Sequence, residues 1–209
     1  MRPKSVTLTL PTVSTTTIAT AAAYGAASNL TLDGTTSFTN AIQVGFTSAG
    51  NLSARTFTIT GTDEQGVAQT EAVTGPNANT VTSTKFFKTI TTIAVDASTA
   101  GITVSVGPCN AATTGGVCSQ WIPLNVTAQN FAVTVAANIA GTINYKLQKC
   151  YEDVLGGATP NWTDDATMTN KTADSVVGLT VHATAIRVVV NTYATGATMT
   201  FEVLQGRGD

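Results

Sequence analysis

The chain has 209 residues, of which 43% are hydrophobic and only 11% charged, with a formal net charge of −2. That length suffices for one large β domain or two small ones, and the hydrophobic fraction suffices for a packed core. The charge balance points to neither nucleic acid nor an anionic membrane surface as partner. Threonine is the dominant residue, 42 of 209, with 29 alanines beside it. Thr is β-branched, stiff at χ1 and suited to a half-buried pleated face, so the composition favours strands with a neutral, mildly polar exterior.

In chain order, Val6, Leu8 and Leu10 alternate with Ser5, Thr7 and Thr9, which predicts a strand ended by Pro11. Residues 15–28 read as irregular or extended, 29–33 as a short strand, and 41–48 as a strand with Ile42, Val44 and Phe46 on one face. Residues 54–76 predict a β-hairpin. Phe57 and Ile59 share a face of its first strand, and Val67 to Val73 is the returning partner. Asp63 and Gly66 suit a type I turn followed by a left-handed residue. A helical turn near 84–88, a strand over 89–96 and another over 100–107 follow.

Residues 108–120, rich in Pro, Gly and small polar side chains, form the expected domain boundary. Beyond it, Val133 and Val135, then Ile143, Tyr145 and Leu147, predict a second hairpin turning at Asn138–Gly141. Residues 155–174 read as a long polar loop. The chain closes with alternating Ile186, Val188, Val190 and Met199, Phe201, Val203 around a Thr195–Gly196 turn. The expected fold is all-β: two small antiparallel β-sandwich or barrel-like domains in tandem, over 1–107 and 121–209, joined by a 108–120 linker.

Candidate chemistry is sparse. His182, the single histidine, has no nucleophile or acid near it in sequence. Glu152, Asp153, Asp164 and Asp165 bracket the loop around Trp162 but match no cation-loop motif, and read as solvated charges. Cys109, Cys118 and Cys150 are odd in number and lack Cys-x-x-Cys spacing, so they read as reduced thiols, with a Cys109–Cys118 loop closure as the alternative. The tripeptide Arg207-Gly208-Asp209 and the Asn-x-Ser/Thr sequons at Asn29, Asn51, Asn125, Asn161 and Asn170 are chance matches in such a composition. No catalytic, cofactor-binding or metal-binding residue is assigned, and no enzyme activity is expected. Trp121, Tyr151 and Trp162 either cap the second domain or form a subunit interface, where aromatics are enriched. The N-terminal residues show no apolar leader core, and no run approaches the length of a membrane helix.

Residues 57–107, and the segments beginning Trp121, Phe131, Thr184 and Thr198, resemble virion structural proteins of tailed bacteriophages in strand, turn and composition pattern. Among these, the chain is most like capsid decoration, or cement, proteins. The resemblance implies a structural protein, made in the host bacterial cytoplasm, that binds the major capsid protein on the outside of a phage head. It implies a homo-oligomer, with a trimer favoured, and neither nucleic acid nor membrane as partner. A tail, head-fibre or other virion accessory component is the alternative, and a bacterial surface adhesin module is a more distant one.

Overall fold

The computed structural model describes residues 4–108, 116–125, 133–156, 160–179 and 182–205. Among them the regular structure is all strand, with no helix, so the all-β expectation holds. In chain order the strands are β1 (Lys4–Leu8), β2 (Ala19–Ala22), β3 (Ser28–Asn29), β4 (Ser37–Ile42), β5 (Gly45–Thr47) and β6 (Thr56–Thr62). Then come β7 (Ala68–Thr74), β8 (Thr80–Thr82), β9 (Phe87–Val95), β10 (Val104–Gly107), β11 (Val117–Cys118) and β12 (Ile122–Pro123). The last six are β13 (Val133–Ala140), β14 (Ile143–Cys150), β15 (Trp162–Asp164), β16 (Ser175–Leu179), β17 (Ala185–Tyr193) and β18 (Thr198–Gln205).

The chain divides into two compact units, Pro11–Val117 and a second formed by Met1–Leu10 with Cys118–Asp209. The change of unit at 117/118 falls inside the 108–120 segment read as a boundary. The assignment of residues 1–107 to one domain needs correction: β1 pairs antiparallel with β18, through Lys4↔Val203 to Leu8↔Met199. Its inward side fits this, because Leu8 is 1% exposed where it stands opposite the buried Met199.

In the Pro11–Val117 unit one sheet has the order β2-β10-β5-β8 and the other β4-β9-β6-β7, with β3 also on β9. Phe46 on β5 and Phe57 on β6 are fully buried, and their rings meet at 5.0 Å between centroids, so this pair joins the two sheets. The 54–76 hairpin is present as expected, with seven register pairs between β6 and β7. Asp63 closes its turn: its N–H donates to the Val67 carbonyl, and its carboxylate accepts the N–H groups of Gln65 and Val67. Gly66 takes φ +88°, where a Cβ is penalised. The open side of β7 is guarded by side chains. Gln69 donates to the Phe86 carbonyl, Glu71 accepts from the N–H groups of Thr84 and Lys85, and Lys85 Nζ donates to the Thr70 carbonyl. That bonding holds residues 84 and 85 as bends, and the helical turn expected near 84–88 is replaced by the start of β9.

In the second unit one sheet runs β1-β18-β13-β16, and β14 and β17 pair with each other in a sheet carrying β15 beside β14 and β12 beside β17. Val133, Val135, Ala137, Met199, Phe201 and Val203 are buried in the first sheet, and Ile143, Tyr145, Leu147, Ile186, Val188 and Val190 in the other. The predicted hairpin of 133–147 is not one. β13 pairs with β16 and β18, while β14 pairs with β15 and β17, so the turn at 141–142 carries the chain from one sheet to the other. The 194–197 turn does the same between β17 and β18.

Candidate functional site

β14 is the strand around which the polar side chains of the second unit gather. On one side Lys146, Gln148 and Cys150 alternate, opposite Val189, Arg187 and Ala185 of β17. On the other edge of β14, Gln148 faces Asp164 and Cys150 faces Trp162. Lys146 Nζ lies 2.9 Å from Asp164 Oδ2, and Gln148 Nε2 donates to Asp164 Oδ1. Arg187 Nε donates to Gln148 Oε1, and its guanidinium carbon sits 4.3 Å over the Trp162 ring. Partial burial works against the Asp164 charge, yet the bonds from Gln148 and Lys146, with the charges of Lys146 and Arg187, hold its carboxyl below the ordinary range.

The opposite side of β14 carries a buried ion pair. Lys149 Nζ is 2.8 Å from Asp165 Oδ2, with side chains 12% and 7% exposed. Asp165 Oδ1 accepts from the N–H and hydroxyl of Thr167 and the N–H of Met168, and the Asp165 N–H donates to the Leu147 carbonyl. Burial opposes the charge on both partners, but the shared hydrogen bond and their mutual attraction prevail: Lys149 is raised and Asp165 lowered from its ordinary value.

Of the three aromatic interface candidates, Trp162 is half-buried beneath Arg187, and Tyr151 is 48% exposed. Tyr151 follows Lys149 by two residues and its nearness helps to raise Lys149, so it belongs to the ion-pair side of β14, away from Trp162. Trp121 is half-buried immediately before β12, whose Ile122 stands opposite Ile186. The three therefore do not share one surface of β14. The acidic residues around Trp162 are likewise dispersed. Glu152 accepts from the Cys150 thiol and from the N–H groups of Tyr151 and Asn161, and Asp153 accepts from the Gly156 N–H. Among the described residues no three His, Cys, Asp or Glu side chains are grouped to hold a metal ion. His182 is exposed ahead of β17. Burial, and then the Glu152 carboxylate, pushes the Cys150 thiol up and away from reactivity. The Cys118 thiol is buried and donates to the Ser119 carbonyl, while Cys109 and the Arg-Gly-Asp tripeptide lie outside the described residues.

A different surface lies on the sheet of β1, β18, β13 and β16. On the outer side of the β1-β18-β13-β16 sheet, Ser5, Glu202, Ala136 and Val176 form one row, flanked by Thr7 with Thr200 and by Leu204 with Thr134 and Gly178. Val176 is 72% exposed and Leu204 49%. The signal was available in the alternation, which puts these two on the outside of their strands, but only the pairing places them on one face. Among the described residues no helix is long and apolar enough to cross a membrane. No family model matches the chain, and no curated protein matches it.

Proposed function

We propose that this protein is a structural virion component that binds the outside of a tailed-phage capsid and stabilises it, as a homotrimer on the major capsid protein. The observation that carries the reading is the outer face of the β1-β18-β13-β16 sheet. It is broad, built of Ser, Thr, Ala and Gly around exposed Val176 and Leu204, and holds Glu202 as its one acidic side chain in the paired rows. Such a face suits apolar and backbone contact with a protein shell better than attraction to DNA. The phage-like strand and turn pattern of the sequence supports the same reading. The Lys146–Asp164 and Lys149–Asp165 ion pairs both lie inside the second unit.

Many copies on one shell multiply a modest contact energy, and a ligand that binds only the closed shell raises the temperature at which it opens. Particles lacking the protein should assemble but release DNA at lower temperature, and purified protein added back should restore the release temperature about equally at low and high salt. An unchanged release temperature would overturn the reading. Protein found only on the tail in electron micrographs would replace it with the tail or fibre alternative.

A further inference from the structure

We propose that the two open edges of the β1-β18-β13-β16 sheet are the subunit contact: β16 of one copy pairs antiparallel with β1 of the next, continuing the sheet around a closed ring. The number three is taken from the trimer reading above; the edges themselves define the interface. Three observations carry it.

The first is protection. β7, the edge of the other unit, is covered by bonds from Gln69, Glu71 and Lys85. Among the described residues β16 has no such guard. Its sequence, Ser-Val-Val-Gly-Leu, has no charge and no proline, and its five pairs with β13 run without a bulge. Edges left in that state accept further strands.

The second is direction. β1, β18, β13 and β16 are antiparallel at each step, so β1 and β13 run one way and β18 and β16 the other. With an even number of alternating strands, the β1 of an identically oriented copy meets β16 antiparallel without being turned over. Repeating that step is a heterologous contact, which makes a ring when the rotation closes.

The third is unfinished burial and charge. Val6 and Val177 face the core side of their strands, yet both are only half-buried, because each stands at an open side of the sandwich. Full overlap of the two five-residue strands sets Val6 opposite Val177, with Ser5 opposite Gly178 and Thr7 opposite Val176 on the outer face. Core-side residues then stay together, as pairing register requires. A charge-free strand receives one whose only charged residue, Lys4, falls at the very end of the overlap.

The test uses the purified full chain alone, without capsids. In the double variant Ser5→Cys/Gly178→Cys the new thiols are opposite across the proposed contact. A Cβ at Gly178 meets nothing within 4 Å, and Ser5 is exposed, so both substitutions fit. Within one copy these positions are three strand spacings apart, about 14 Å, beyond the roughly 7 Å limit for a disulfide. Mild oxidation should give a non-reducing ladder that ends at trimer, and neither single variant should give it. Separately, Val176→Lys, on an outer-face side chain that is 72% exposed, should shift sedimentation toward monomer while leaving the circular dichroism unchanged. No cross-link, a ladder that stops at dimer, or an oligomer indifferent to Val176→Lys would overturn the proposal. Because no capsid is present, capsid binding by a variant that fails to cross-link would leave the decoration reading standing. A ring that does not bind capsids would do the reverse.

Discussion

In the Pro11–Val117 unit, carboxylates serve backbone amides. Asp63 closes the β6–β7 turn, Glu71 holds residues 84 and 85, and Asp33 accepts the N–H and hydroxyl of Thr20, while the sheets meet through Phe46 and Phe57. In the unit of Met1–Leu10 and Cys118–Asp209, the neighbouring carboxylates Asp164 and Asp165 instead take lysines from opposite sides of β14. One of these pairs is buried and the other is half in water. A chain with few charges thus uses them to shape turns in both units, as Asp63 and Asp153 do, and in the second unit also to pin a loop segment to a strand.

The two units can be probed separately. Both tryptophans, Trp121 and Trp162, lie in the second unit, so their fluorescence reports that unit while circular dichroism reports both. Phe57→Ala should have the largest effect, about 4 kcal/mol, because it opens a cavity where the sheets of the first unit meet. The loss should appear in circular dichroism with the fluorescence transition in place; a matching shift in fluorescence would show that the units do not unfold separately.

Asp165→Ala should cost about 3 kcal/mol in the fluorescence transition, since it leaves Lys149 buried without its partner. Lys149→Met combined with Asp165→Leu should recover most of that loss, because the desolvation cost of both charges disappears. If the double variant is as weak as the single one, the pair contributes more than its replacement by apolar packing.

The same pair sets a pH window. The folded carboxyl of Asp165 lies below its ordinary value, so its contribution is present above about pH 4 and is lost as pH falls through the folded value. Lys149 lies above its ordinary value, so its contribution is present below about pH 10 and is lost as pH rises through the folded value. Urea midpoints of the second unit should therefore drop at both extremes, and Asp165→Asn should flatten the acid side. An unchanged acid slope in that variant would assign the effect to other carboxylates.

Smaller effects sharpen the contrast. Asp63→Ala should cost about 1 kcal/mol, seen in the first unit, because two turn N–H groups turn to water instead. Lys146→Ala should cost less than about 1 kcal/mol, with the remainder screened by salt, because its partner Asp164 is 45% exposed. A loss there as large as that of Asp165→Ala would erase the distinction between the buried and the half-exposed pair.

Sequence alone determined the secondary-structure class and which side of most strands turns inward. Val133 and Val135, Tyr145 and Leu147, and Val188 and Val190 alternate in the sequence and are buried in the structure. The β6–β7 hairpin was legible too, because Asp63 and Gly66 close it with bonds inside the turn itself. Which strand lies beside which was decided by the tertiary structure. Alternation with period two is the same for a strand paired with its sequence neighbour and for one facing that neighbour across a sandwich, so 133–147 read as a hairpin although it crosses between sheets. β1 joined β18 for a similar reason: the partner that buries Leu8 is nearly two hundred residues away, and no local pattern encodes that distance. The aromatic candidates divided on the same ground. Tyr151 and Trp162 are close in the chain, but Lys149 lies on one side of β14 while Arg187, from the neighbouring β17, lies on the other, and each aromatic sits beside a different one of these cations.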